Sequence, residues 1–335
     1  MVYIYRKIIG NKEYFYLRAS VRNKNKIITK DIKYLGNDIN NIRDRLKEIP
    51  SKYSNEVKKT YKTLNRFIEV NNYLEKIKKL KLKKDDFLTK NSLENIEACK
   101  LHWLNSFNKS DKLTKDEILK NFIIEFAFNT TSIEGNTITL KETQNLLLEN
   151  LTPKNKTLRE IYDLQNTEKF FLELFYNTNK GINHDLICYI HDSLLENIDS
   201  RKGYRTTDVR VFRSNFKSTP ALYVKTDMQL LIKWYKENEN NLHPIVLATI
   251  FHHKFEKIHP FMDGNGRVGR ILLNYILLKK KNPPLIIRKK NRINYLAQLN
   301  KADKCELTKS SPTYYTSLVE FIASEMYENY WNIFL

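Results

Sequence analysis

The sequence predicts a mainly α-helical protein that begins with a small antiparallel β-meander. Aromatic and β-branched residues alternate between turn signals over residues 2–35, apolar residues recur at helical spacing from about residue 40 onward, and two Thr-x-x-Glu capping boxes follow. Hydrophobic residues make up 41% of the 335 residues, enough to bury a sizeable core. This composition excludes a chain that is disordered throughout.

The meander is the first predicted element. Strands are predicted in VYIYRKII, EYFYLRASV and KIITKDIKYL, with turns at residues 10–12 and 23–25. We expect three domains: an N-terminal β-meander over residues 1–37, a Lys-rich helical arm over residues 38–112, and a larger helical domain over residues 113–335.

Helices are predicted through most of the remaining chain. Pro50 and the charged run 83–86 mark breaks in the arm. Thr139 with Glu142, and Thr157 with Glu160, form the two capping boxes. Further helices are predicted over residues 184–197, 227–238, 244–258, 266–280 and 290–331. Between them, the alternation of apolar residues over 203–226 predicts a β-hairpin.

The positive charge is concentrated near the N-terminus. Residues 1–100 carry 25 Lys plus Arg against 12 Asp plus Glu, a net +13 of the chain's +20. Such a face could bind a nucleic-acid backbone, or it is simply the solvated side of Lys-rich helices; both interpretations stay open.

Cysteine use and the N-terminal sequence bear on location. Cys99, Cys188 and Cys305 are odd in number and too far apart for a metal-ligand pattern, so a reducing cytoplasm is the simplest expectation. Charges interrupt the apolar residues at the N-terminus, unlike a secretory signal. No segment has the apolar length of a membrane span, so we expect a cytoplasmic protein with no membrane partner.

The glycine distribution is the strongest local signal. Only eight glycines occur in the chain, yet Gly264, Gly266 and Gly269 fall within six residues. They precede or open a predicted helix, whose N-terminal N–H groups would form an anion site suited to phosphate. Arg267 and Arg270 lie three residues apart on the first turn, where both guanidinium groups can reach phosphate oxygens.

Two residues beside the glycines complete a catalytic set. Asp263 offers a hard oxygen ligand, and Mg²⁺ commonly binds one carboxylate together with substrate phosphates. His259 has a side chain suited to general-base work near neutral pH. Singly these residues are ordinary loop residues, but in this order they predict a phosphoryl or nucleotidyl transfer site.

The segment HPFMDGNGRVGR, residues 259–270, resembles the HxFxDGNGRxxR signature of Fic-domain proteins, which transfer AMP from ATP to Ser, Thr or Tyr hydroxyls of proteins. The similarity extends over about residues 115–325, and it is greatest to the group that includes the metazoan AMP transferase. The resemblance implies a Fic-type helical core, ATP and Mg²⁺ as cofactors, protein substrates that include the chain itself, and a homodimer.

The resemblance also implies a role for each motif residue. His259 would deprotonate the target hydroxyl, and Asp263 would hold Mg²⁺. The residues that would bind the ATP phosphates are Gly264, Asn265, Gly266, Arg267, Gly269 and Arg270.

A second motif lies upstream, within residues 130–136. From the residues alone it is a helix end capped by Gly135. It also resembles the family's inhibitory motif, (S/T)xxxE(G/N), with Thr130 and Glu134 at the defining positions. The resemblance implies that Glu134 pairs with Arg270 and prevents productive ATP binding, and that the same carboxylate can activate water for AMP removal.

The predicted hairpin over residues 205–224 resembles the family's flap, which pairs with the target segment by strand addition. The residues that would lie over the nucleotide are Val209, Arg210, Val211 and Phe212. Tyr295 matches a family position near the adenine, where an aromatic face suits a purine; the alternative is an ordinary core tyrosine.

Two alternatives to AMP transfer stay open. One is a related transfer of phosphate or another nucleotidyl group. The other belongs to a different class: a DNA-associated, toxin-like regulator recruited through the basic N-terminal region, whose meander slightly resembles the start of some transposase-like proteins.

Overall fold

The computed structural model describes residues 2–10, 12–23, 26–209 and 217–335. The chain forms two compact units, residues 1–82 and residues 83–334. This division falls within the predicted arm 38–112, because residues 83–112 belong to the larger unit rather than to the N-terminal helices.

The smaller unit is a three-stranded antiparallel sheet followed by helices. Strands β1 (Val2–Ile9), β2 (Lys12–Asn23) and β3 (Lys26–Gly36) lie in the order β1-β2-β3. The helices are α1 (Ile42–Lys47), α2 (Ser54–Lys59) and α3 (Tyr61–Lys78). The core contains Ile4 and Leu17 from the sheet and Leu64 and Ile68 from α3. The predicted meander is confirmed.

The larger unit is helical. Its helices are α4 (Lys90–Asn105), α5 (Lys112–Ile133), α6 (Leu140–Glu149), α7 (Leu158–Tyr176), α8 (His184–Leu194), α9 (Val224–Asn238), α10 (Pro244–Ile258), α11 (Asn265–Lys279), α12 (Arg292–Ala302) and α13 (Pro312–Ile333). Helices α10 and α11 lie in the interior, since residues 245–255 and 267–277 are all buried. Within the described ranges, no helix is both long and apolar enough to cross a membrane.

Both predicted capping boxes are formed. The Thr139 hydroxyl accepts the Glu142 N–H, and the Glu142 carboxylate accepts the Thr139 N–H, which starts α6. Thr157 and Glu160 make the same reciprocal pair at the start of α7. Each box satisfies N–H groups that the first helical turn would otherwise leave without acceptors.

The predicted hairpin is wrong where it can be examined. Residues 205–209 and 217–220 form no strand, and Ala221–Tyr223 is a short 3₁₀ helix that leads into α9. The alternation of apolar residues predicted a strand here, but Leu222 is 82% exposed while Val224 is buried in α9. The two side chains therefore do not lie on one face of a sheet. Residues 210–216 of the predicted flap lie outside the described residues.

Candidate functional site

A tight loop joins α10 to α11 and contains the HPFMDGNG segment. His259 adopts a left-handed backbone conformation (φ 55°, ψ 59°), and Gly264 does the same (φ 77°). The Asn265 side chain bridges the turn: its Oδ1 accepts the Phe261 N–H and its Nδ2 donates to the Phe261 carbonyl, both at 2.9 Å. Asn265 therefore shapes the loop through its side chain.

Arg205 holds the same loop from the other side. Its Nε donates to the His259 carbonyl at 2.8 Å, and its backbone N–H donates to the Pro260 carbonyl at 2.9 Å. The residue is only 4% exposed, and burial lowers the pKa of its guanidinium. Sequence reasoning missed this positioning residue because nothing distinguished Arg205 among 58 basic residues.

The His259 imidazole is placed for proton transfer. Burial lowers its pKa from the usual 6.5, although a hydrogen bond to the Glu256 backbone carbonyl works in the opposite direction. A neutral imidazole that donates through one ring nitrogen carries its proton-accepting lone pair on the other. His259 is therefore neutral near pH 7 and held in one orientation.

A cavity of about 460 Å³ brings the motif together with residues from two other helices. One wall is formed by His259, Asp263 and residues 264–267 of the loop and α11. Glu134 at the end of α5 and the first turns of α7 form the remainder. His259, Asp263 and Glu134, which were predicted as catalytic, metal-binding and inhibitory, thus line one shared space, whereas Thr130 is not part of its lining.

Two charged residues of α7 that sequence reasoning missed face this cavity. Arg159 donates to the Asp263 carboxylate, and Asp163 accepts from Arg267. Burial raises the pKa of Asp163. Burial also acts to raise the pKa of Asp263, but the positive charges of Arg267 and Arg159 lower it by more. The net shift of the Asp263 pKa is downward, so the side chain is a carboxylate. The i, i+4 spacing of Arg159 and Asp163 behind a capping box was the available signal.

The donor set limits which cation the cavity could hold. Among the described residues, no cluster of three His, Cys, Asp or Glu side chains could ligate a metal. Within the HPFMDGNGRVGR segment, Asp263 supplies the carboxylate. Its side chain is 32% exposed and lies beside the N-terminus of α11, the predicted anion site. This fits a Mg²⁺ ion that takes its other ligands from phosphate oxygens and water, provided that Arg159 leaves the carboxylate.

Arg270 is already engaged by the upstream motif. Its Nε donates to Thr130 Oγ1 at 2.7 Å, and its Nη2 donates to the Thr130 carbonyl at 2.9 Å and to Glu134 Oε1 at 2.7 Å. Burial alone would lower the pKa of Arg270, but the charge of Glu134 raises it, and the net shift is upward. Gly135 follows in a left-handed conformation (φ 109°) and ends α5.

Two of the three clustered glycines serve close packing rather than unusual backbone angles. A Cβ at Gly266 would collide with the Glu134 carboxylate, and a Cβ at Gly269 would collide with Glu256 and His252. Only Gly264 has the positive φ expected of the loop. The absence of a side chain at Gly266 is therefore what lets Glu134 lie against the first turn of α11.

Tyr295 does not reach the cavity. It is 1% exposed, its ring stacks on His252 with centroids 6.0 Å apart, and its hydroxyl lies 2.6 Å from His252 Nε2. Tyr295 is therefore a core tyrosine in this structure, which was the alternative that the sequence left open. Contact between Tyr295 and an adenine stays a prediction. Val209 is half-buried at the end of a described stretch, while Arg210, Val211 and Phe212 lie outside the described residues.

Residues 181–277, which include the whole HPFMDGNGRVGR segment, match the family model described as the Fic/DOC family. This segment of the chain is therefore similar to Fic/DOC proteins. The expected Fic-type helical core is confirmed by solved structures with the same fold. A Fic-domain-containing signaling protein of Bacteroides thetaiotaomicron has a TM-score of 0.64 at 23% identity, covering 70% of this chain and 95% of that one. Fic-1 of Caenorhabditis elegans has a TM-score of 0.60 at 24% identity, covering 72% of this chain and 71% of that one.

Curated relatives of the Fic domain carry enzyme names. A probable protein adenylyltransferase of Aquifex aeolicus is 34% identical over 149 residues, 44% of each chain. Protein adenylyltransferase Fic of Nematostella vectensis is 30% identical over 189 residues, 55% of this chain and 44% of that one. Protein adenylyltransferase fic-1 of C. elegans is 29% identical over 187 residues, 54% of this chain and 37% of that one. The chain thus spans less than half the length of these relatives.

Proposed function

We propose that this chain is a protein adenylyltransferase, which moves AMP from ATP to a hydroxyl group of a protein. The observation that carries the proposal is that one cavity holds the His259 imidazole, the Asp263 carboxylate and the N-terminus of α11, with burial lowering the pKa of His259. A general base, an anion site and a carboxylate beside it are the parts required to transfer a nucleotidyl group. The enzyme names of the relatives point the same way.

The chain's residues would act in one concerted step. The target hydroxyl gives its proton to His259 while its oxygen forms a bond to the α-phosphorus of ATP. The bond from that phosphorus to the β-phosphate oxygen breaks, and pyrophosphate leaves with the electron pair. The N–H groups at the start of α11 and the Arg267 guanidinium would stabilise the negative charge that develops. Bound Mg²⁺, held by Asp263 and the phosphates, would supply further charge neutralisation.

We further propose that the chain inhibits itself through Glu134. The Glu134 carboxylate lies against Gly266 and accepts from Arg270 Nη2 at 2.7 Å, in the space that ATP phosphates would need. Arg270 presents a planar group with paired donors that suits phosphate as well as carboxylate, so the two anions compete. A phosphate that finds Arg270 occupied would bind in an unproductive position. Removal of AMP by the same carboxylate, a homodimer and a cytoplasmic location also stay predictions.

The test uses the full chain and two radiolabels. The wild type and Glu134→Gly are incubated with a cell lysate, Mg²⁺ and ATP labelled at either the α- or the γ-phosphorus. Relative to lysate without the chain, we expect additional protein-bound α-label, formed faster by Glu134→Gly, and no additional γ-label. His259→Ala is the control and should abolish labelling. Transfer of the γ-label instead would identify a phosphotransferase, and label that persists in His259→Ala would refute the assigned base.

A further inference from the structure

A row of tyrosines crosses the outer face of the N-terminal sheet, where the proposed AMP transfer does not use it. Tyr5 on β1 pairs with Tyr16 on β2, which pairs with Tyr34 on β3. Directly paired residues project from the same face of a sheet, so the three rings lie side by side. The Tyr16 and Tyr34 ring centroids are 5.2 Å apart. Tyr3 and Tyr14 extend this tyrosine face along β1 and β2.

The tyrosine face is opposite the core. Along β2, Phe15 and Leu17 are buried, while Tyr14, Tyr16 and Arg18 are only half-buried. The exposed fraction of Tyr34 is 43%. Side chains alternate between the two faces of a strand, so the tyrosines lie on the face that does not pack into the core of this unit.

Basic residues accompany the rings. The Arg18 guanidinium lies 3.6 Å from the centre of the Tyr5 ring and donates to the Asp31 carboxylate in an ion pair. Lys7 is paired with Tyr14, and Arg22 lies further along the same face of β2. Residues 1–82 carry 21 Lys plus Arg against 8 Asp plus Glu, so this unit holds a net +13 of the chain's +20. The unit is therefore complementary to a polyanion.

We propose that the tyrosine face binds single-stranded RNA. Unpaired bases have open aromatic surfaces that can stack on the exposed ring of Tyr34 and on the half-buried ring of Tyr16 beside it, while the phosphates are attracted to the basic residues around them. A duplex offers its phosphates but keeps its bases stacked on one another, so it would use only half of this surface.

The dimensions and the hydroxyl groups of the face favour RNA. Neighbouring strands lie about 4.8 Å apart, so a row across three strands is about 10 Å wide and takes two or three stacked bases. Ser20 and Thr29 are paired on the same face and add hydroxyl groups to those of the tyrosines. Such groups can both donate to and accept from the ribose 2′-hydroxyl, which DNA lacks.

The test measures binding by the full chain to a fluorescently labelled oligouridylate of about twelve nucleotides, by fluorescence anisotropy. Stacking on one ring contributes about 1–3 kcal/mol per base, so Tyr34→Ala or Tyr16→Ala should weaken binding by about fivefold or more. Tyr61→Ala is the matched control, because Tyr61 is 64% exposed in the same unit but lies on α3. It should leave the affinity unchanged.

Further arms separate the proposal from its rivals. Oligothymidylate and a duplex of the same length should bind more weakly, and His259→Ala should bind RNA as the wild type does, which keeps this test independent of AMP transfer. Equal loss in Tyr34→Ala and Tyr61→Ala, equal binding of DNA or duplex, or no binding at low salt would each overturn the proposal. Thermal melting of each variant establishes that a lost affinity is not lost folding.

Discussion

Replacing Glu134 with glycine tests directly whether its contact with Arg270 is inhibitory, as we propose. The change removes the acceptor of the 2.7 Å hydrogen bond from Arg270 Nη2 and empties the space beside Gly266. Hydrogen bonds between charged groups contribute about 1.5–3 kcal/mol, and the Glu134 side chain is 45% exposed, so solvent screening favours the lower value. Because about 1.4 kcal/mol corresponds to a factor of ten, Glu134→Gly should transfer AMP about ten times faster than the wild type.

The assay follows incorporation of α-labelled AMP into the chain itself at low ATP concentration. Glu134→Gln is the matched variant: it keeps the size and one acceptor but loses the charge, so its rate should fall between the other two. The melting temperature of each variant is measured alongside, because Glu134 caps the end of α5. Equal rates for the folded wild type and folded Glu134→Gly would refute competition for Arg270.

Three further outcomes are expected. Burial lowers the pKa of His259 from 6.5, and the base must be neutral, so the rate of Glu134→Gly should not fall to half until the pH is below 6.5; an earlier loss contradicts the assignment. Burial raises the pKa of Glu256 from 4.5 to about 8, so the free energy of unfolding should decrease as the pH rises through this window, by at most about 1.4 kcal/mol per pH unit. Urea titrations should show that Glu256→Gln removes this slope, and an unchanged slope would exclude Glu256 as its source. Thr130→Val leaves Arg270 Nε without its 2.7 Å acceptor and should lose about 1–3 kcal/mol of stability in urea, whereas Thr130→Ser should lose less; equal losses would contradict a role for the hydroxyl.

Local signals in the sequence were enough to predict most helices. Each capping box encodes its own helix start, because donor and acceptor lie three residues apart. The clustering of Gly264 and Gly266 beside Asp263 likewise predicted a turn followed by a helix N-terminus, and the structure has both. These features depend on neighbours in the chain, which a sequence shows directly.

Contacts between distant segments were not predictable in the same way. Arg205 reaches the His259 carbonyl across 54 residues, and Arg159 reaches Asp263 across 104. No local pattern marks Arg205, and the i, i+4 spacing of Arg159 and Asp163 does not show which residue Arg159 contacts, since both contacts depend on how helices pack. The hairpin failed for the related reason that alternation alone cannot tell a strand from a loop whose apolar residues, such as Leu222, face solvent.

The location of Glu134 on α5 has a consequence for how inhibition would respond to conditions. The residues of α5 that precede Glu134, from Asn129 to Ile133, are buried, so Glu134 is attached directly to the folded interior. A tethered competitor of this kind has an effective concentration set by geometry, which dilution of the protein does not change. Inhibition within one chain would thus be the same at every protein concentration.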